Sequence, residues 1–330
     1  MLLHLRVTVP SDRAVEVREL FERCPGTAHV AVLPGASLAP EGDLLLADVA
    51  RESADGLVAD LRRLHVDRDG GLSISAVDAA VSRAAERAEE EAPGEGADAV
   101  VWEQVVRTTA GESTLSVAYL AFLSIATLLA AIAIVNDSAI LTIGAMVLGP
   151  EFAPLAALAV GVVSGRRAMT RRAAVSLLAG FGLAILLTTL AALLARALGW
   201  IDRGLLTVER PETGFITSPD RWSLVVAILA GVAGVLSLTS AKSGALVGVF
   251  ISVTTVPAAA DMALSLALGG GGEFVRAATQ LGINLVGIVV AATGTLAVQR
   301  SVWHRMPRTL PRTIPPTIPP TIPPTTAAAP

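Results

Sequence analysis

Along the first 80 residues apolar and polar positions alternate at the spacings of strands and short helices, and from residue 115 they give way to long apolar runs. Leu2 to Val9 reads as a strand, and Ser11 or Asp12 caps a helix carrying Val15, Val17, Leu20 and Phe21 before the stop Cys24-Pro25-Gly26. His29 to Leu33 and Leu44 to Val49 read as strands joined by the turn-rich PGASLAPEGD. Ser53 to Leu64 places Leu57, Val58, Leu61 and Leu64 on one helix face, and Leu72 to Val77 reads as a last strand. The order βαββαβ predicts an α+β, ferredoxin-like domain over residues 1–80.

Residues 81–98 are charge-rich and contain Pro93, Gly94 and Gly96, which predicts a solvated linker. Between 99 and 114, Val101, Trp102, Val105 and Val106 recur at helical spacing. That amphipathic helix either lies at the membrane surface with Trp102 at headgroup level or packs on a neighbouring domain. Residues 301–330 end in a proline-rich tandem repeat, for which polyproline II or disorder is expected.

Six apolar stretches predict an all-α polytopic membrane domain over 115–300: Leu115 to Val135, Ser138 to Val163, Ala173 to Leu198, Leu224 to Ser240, Gly244 to Leu268 and Ala277 to Val298. The second and fifth are each Gly-rich and interrupted by proline, at Pro150 and Pro154 and at Pro257. Three crossings per unit is an odd number, so two such units have opposite orientations. Two inverted three-helix repeats with Pro-broken middle helices are therefore expected.

Charge sharpens the division. Residues 1–114 hold 11 Arg against 21 Asp and Glu, within a chain of net charge −4, so the N-terminal part repels phosphate backbones and no nucleic-acid partner is expected. Met1 to Pro10 is too short for a cleavable signal, which predicts a cytosolic N-terminus. Arg166, Arg167, Arg171, Arg172, Lys242 and Arg300 fall in connections on that side, so both termini are expected in the cytosol and the chain in the inner (plasma) membrane. The lone Cys24 fits a reducing compartment.

The chemistry is concentrated in SAILTIGAMVLGPEFAPLAALAVGVV, which starts at Ser138. Glu151 is the acid placed deepest in a predicted span, and such a carboxylate costs at least ~2.5 kcal/mol if charged. Gly149, Pro150, Glu151 and Pro154, with Thr254, Thr255, Pro257 and Asn284 from later spans, form the expected solute or ion pocket. Most Ser and Thr in the spans are expected to bond back to their own helix, a reading open for Thr254 and Thr255 as well. No HExxH, CxxC pair, P-loop or Ser, His and Asp set lies in the membrane part, so no enzyme or metal site is expected, and the pattern names no cofactor. In the soluble part Ser11, Asp12 and Arg13 stand at a helix start, where amides attract an anionic small ligand such as a nucleotide, although plain capping also explains Ser11 and Asp12.

The run NDSAILTIGAMVLGPEFAPLAALAVG resembles the membrane core of the bacterial and archaeal family called domain of unknown function 389, with Ser138, Gly144, Ala145, Met146, Pro150, Pro154 and Gly161 in its characteristic places. WEQVVRTTAGEST and the front end are also similar to longer members. Where members commonly show an apolar pair after the first proline, this chain has Glu151-Phe152. The resemblance implies architecture and membrane location and brings no activity with it. The expected function is transport or channelling of a small solute or ion, regulated by ligand binding to the N-terminal domain. The alternative is a non-transporting membrane sensor or scaffold. Gly-rich spans and sheet edges make a homo-oligomer the expectation for either.

Overall fold

The computed structural model describes the backbone of residues 1–92, 99–214, 221–240 and 247–305, and the side chains of these residues apart from 247–254 and 303–305. The proline-rich tail, the linker breakers Pro93, Gly94 and Gly96, Lys242 and the Thr254 side chain lie outside the described residues.

Strand β1 (Leu2–Val9) alternates as the sequence does, sending Leu3, Leu5, Val7 and Val9 into a core with Val17 and Phe21 of helix α1 (Ala14–Arg23). A 3-10 turn, Ser11–Arg13, joins the two. Strands β2 (Thr27–Leu38) and β3 (Glu41–Ala50) form a hairpin that extends past the expected ends on both sides. Gly42 near its tip is required by close approach, because any side chain there would run into the carbonyl of Val9. Helix α2 (Arg51–Arg63) adds Ala54, Leu57, Val58 and Leu61 to the core.

A short helix, α3 (Val66–Asp69), follows at His65, whose φ of 56° turns the chain, and β4 (Gly71–Ala76) closes the sheet. All pairings are antiparallel, in the order β2-β3-β1-β4. The residues expected to be a solvated linker begin with helix α4 (Arg83–Glu91). Ser82 caps it, accepting from the Ala85 amide, and Ala85 and Ala88 are buried beside Ala28 and Ala50.

The ferredoxin-like βαββαβ expectation is therefore corrected. The N-terminal unit is a four-stranded antiparallel sheet whose helical additions include the 3-10 turn, α3 and the docked α4. Local turn geometry at His65 and the cap at Ser82 set α3 and α4, and hydrophobic periodicity does not report them.

Helix α5 (Trp102–Glu112) leads to α6 (Val117–Val135), α7 (Ala139–Val147), α8 (Phe152–Val163) and α9 (Arg167–Ala197). Then come α10 (Arg221–Thr239), α11 (Val247–Leu268) and α12 (Gly271–Arg305). Four of these, α6, α9, α10 and α12, are long and apolar enough to cross a bilayer, and the bent pair α7–α8 makes a fifth if counted as one span. The chain is thus a multi-pass membrane protein.

The expected six spans in two inverted, Pro-broken repeats are corrected too. Only the first middle span is broken, while α11 runs through Pro257 as one helix. Small side chains dominate the buried interior, among them Ala126, Ala130, Ala227, Ala258, Ala259 and Ala260, and they let helix backbones approach closely. Large apolar side chains such as Ile140, Leu178 and Val290 point outward from these helices.

Candidate functional site

The break between α7 and α8 organises the membrane part. Ser138 caps α7, accepting from the Leu141 amide over 3.3 Å, and the helix closes with tight bonds from Leu148 to Ala145 and from Gly149 to Met146, each of 3.2 Å. Pro150 comes next with no amide to offer, and α8 restarts after Glu151 at an angle of 54°. Alone, the 9 and 12 residues of α7 and α8 span about 14 and 18 Å, short of the ~30 Å hydrocarbon core. Pro154 does not add to the break. It sits in the first turn of α8, where an amide has no helical acceptor in any case.

Glu151 is fully buried at this joint. Its Oε1 accepts a hydrogen bond of 2.6 Å from the hydroxyl of Thr255, which is itself fully buried on α11. Tyr119 of α6 lies within electrostatic reach of Glu151 and is wedged on Gly180 of α9, where a Cβ would come within 2.6 Å of its ring. Asn284 and Gln280 are buried on α12, a helix that packs against both α8 and α11. Gly149 and Pro150 are half-buried, and Pro154 and Pro257 are buried. A carboxylate, a hydroxyl, a phenol and two amides thus stand on helices that pack around one broken span. This set suits a cation, a proton or a small polar solute.

Other polar side chains behave differently. Thr142 and Thr239 donate back to their own helices, to Ser138 over 2.8 Å and Val235 over 2.9 Å, whereas Thr255 donates to a carboxylate on the broken span. Asp261, six residues beyond Thr255, pairs with Arg210 at 3.4 Å. In the α6–α7 turn Asp137 adopts φ 46° and accepts from the hydroxyl and amide of Thr213 and from the Glu212 amide. Burial works to raise the Asp137 carboxyl, but these bonds and the Arg210 charge hold it below the usual range. Among the described residues no three His, Cys, Asp or Glu side chains gather as a metal group.

The residues singled out at the helix start of the sheet unit are engaged internally. Ser11 donates to Asp43 over 2.6 Å, and Arg13 donates to the Leu64 carbonyl over 2.7 Å and pairs with Asp69 at 2.9 Å. Asp12 is exposed.

The seam between the sheet unit and the membrane helices was not legible in the sequence. Arg51, buried at the start of α2, donates to the Ala99 carbonyl over 2.7 Å and to the Thr239 carbonyl at the end of α10 over 3.1 Å. Burial pulls its pKa down. Helix α5 packs on α8, with Val105 and Val106 against Ala157, Ala159 and Val160. Glu103 on α5 receives three arginines: Arg62 at 2.8 Å, Arg107 at 2.8 Å and Arg166 at 3.1 Å. The only signal available was the helical spacing of residues 101–106.

No solved structure matches the chain. It is 24% identical over 204 residues to Uncharacterized protein MJ0678 of Methanocaldococcus jannaschii, an alignment covering 62% of this chain and 61% of that protein. The chain thus spans less than two thirds of that relative's length. Residues 146–290, which run from the end of α7 through the Glu151 joint to α12, match the family described as Domain of unknown function (DUF389).

Proposed function

We propose that this protein transports or channels a small solute or ion through its membrane part, with Glu151 and Thr255 at the centre of the pathway, and acts without catalysis. The observation that supports this reading is a fully buried carboxylate at a broken helix, bonded from a neighbouring helix. In a bilayer core an acid and a broken backbone are both expensive, and both are kept where polar cargo must be met. Gly149, Pro150, Pro154, Pro257 and Asn284 shape and line the same region in this reading.

The sheet unit supplies regulation, since Arg51 and Glu103 connect it to the ends of α10 and α9. Arg166 and Arg300 lie at the end that faces the sheet unit. The acids Asp137, Glu212 and Asp261 gather with Arg210 elsewhere, around the α6–α7 turn and the segment before α10. That separation agrees with the sheet unit in the cytosol of a cell whose plasma membrane holds the helices. A homo-oligomer is the assembly we favour.

The test is flux into proteoliposomes across a panel of ions and small solutes, beside Glu151→Gln. Flux that falls at least tenfold in the variant supports the reading. Flux unchanged by the variant removes Glu151 from the pathway, and no flux for any solute favours the sensor or scaffold.

A further inference from the structure

At the seam described above an open cavity of about 240 Å³ lies between α2, α5, the α8–α9 turn and the end of α12. Its walls include Arg62, Arg166, Arg300, Trp102, Glu103 and Ser164. The three arginines come from three separate segments and are shared among few acceptors. Arg62 and Arg166 divide one carboxylate, Glu103, with Arg107, Arg62 also pairs with Asp67 at 3.4 Å, and Arg300 donates to the Val163 carbonyl over 2.6 Å while its guanidinium sits 6.0 Å from the centre of the Trp102 ring. Asp55, the other acid at the walls, accepts from the Trp102 amide over 3.0 Å. Cations therefore exceed anions at the walls. Arg166 also stands at the start of the 31-residue α9, whose positive end adds to the field.

The level of this cavity matters as much as its charge. Ser164 directly follows the last residue of α8, and Arg300 lies near the end of α12, where the apolar spans stop. Bilayer phosphates lie at that depth, and basic pockets between helix ends suit them. Guanidinium forks match phosphate oxygens bidentately, and an indole provides an apolar wall for the remainder of the ligand.

We infer that the cavity lined by Arg62, Arg166 and Arg300 binds a phosphate-bearing anion, which ties the sheet unit to the α8–α9 turn and the end of α12. Glu103 occupies the arginines in its absence and competes with it.

The experiment uses the full chain in a neutral detergent and measures melting temperature and native-mass retention against phosphatidylglycerol, phosphatidylcholine, inorganic phosphate and adenosine diphosphate. Phosphatidylglycerol raises the melting temperature if a lipid headgroup is the source, and phosphate or adenosine diphosphate does so if a soluble anion is. Phosphatidylcholine does neither. Arg166→Gln and Arg300→Gln each weaken the responding probe about tenfold, as expected for loss of a charge-assisted contact. Arg172→Gln, an exposed arginine on α9 outside the cavity, leaves binding unchanged. Glu103→Gln tightens it, a gain that misfolding does not produce. The inference is overturned if no phosphate compound binds, if Arg172→Gln weakens binding as much as Arg166→Gln, or if Glu103→Gln and both cavity variants bind like the parent.

Discussion

The hydroxyl of Thr255 donates to Oε1 of Glu151 over 2.6 Å, joining residues 104 positions apart and tying the broken span to α11 inside the apolar core. A buried carboxylate that loses a donor keeps its desolvation cost. Thr255→Val is expected to lower stability by about 1–3 kcal/mol, and Thr255→Ser to recover most of it. Thermal unfolding in detergent checks both, and equal melting of Thr255→Val and the parent would show that the bond contributes nothing.

Gly231 on α10 faces the backbone of α12, where an added Cβ would lie 2.6 Å from the Ile288 carbonyl and 2.9 Å from Ala291 Cβ. Backbone cannot step aside cheaply, so Gly231→Ala should cost about 1–3 kcal/mol through overpacking. Gly282, with open space around its Cβ position, is the control. Gly282→Ala should be neutral or stabilising by up to about 1 kcal/mol. Unfolding curves for the pair read the contrast directly.

Arg210 and Asp261 form an ion pair in which both side chains are only 11% exposed. Asp261→Asn removes the paired charge from a poorly solvated guanidinium that keeps its 2.9 Å bond to the Leu205 carbonyl, and should cost up to roughly 3 kcal/mol, whereas the apolar double change, Arg210→Met with Asp261→Leu, should cost much less. A double-mutant cycle measures the coupling. Additive losses would mean that the pair is not an energetic unit.

The bond from Ser11 to Asp43, with a second from the Gly35 amide, lowers the Asp43 pKa against the opposing effect of burial. A carboxyl held lower in the folded than in the unfolded chain stabilises fully above the unfolded value, near ~4, and loses that contribution as pH falls through the folded value. Ser11→Ala should therefore lower the melting temperature at pH 6 and matter progressively less below pH 4. A constant difference across that range would contradict the linkage.

Arg51 holds two carbonyls, of Ala99 and Thr239, with one planar fork. Lysine has a single ammonium and does not satisfy both with the same geometry. Arg51→Lys should speed amide exchange in Val100, Val101 and the last turn of α10, while leaving the β1 and β3 amides protected. Faster exchange spread through the whole sheet would instead place Arg51 in the core stability of that unit.

The period-two alternation of Leu3, Leu5, Val7 and Val9 and the long apolar runs after residue 115 were enough to place a sheet unit ahead of a membrane part, because each pattern reflects which face meets water or lipid. Glu151 was likewise conspicuous, since an acid amid apolar residues is costly wherever the chain takes it. Tertiary structure decided what met that acid. The packing of α11 beside the joint is what gives Thr255 its bond to Glu151. It also decided which proline breaks a helix: Pro150 does, Pro154 falls in a first turn, and Pro257 lies within a continuous α11. Proline removes the same donor everywhere: in the first turn at Pro154 no helical acceptor goes unmet, whereas at Pro257 the surrounding packing carries the helix past the lost bond. The seam was hidden for a related reason. Arg51, Arg62, Glu103, Arg166 and Arg300 are scattered along the chain as ordinary surface charges, and docking of the sheet unit on the helix ends brings them together, covering Arg51 and Glu103 while the other three stay exposed.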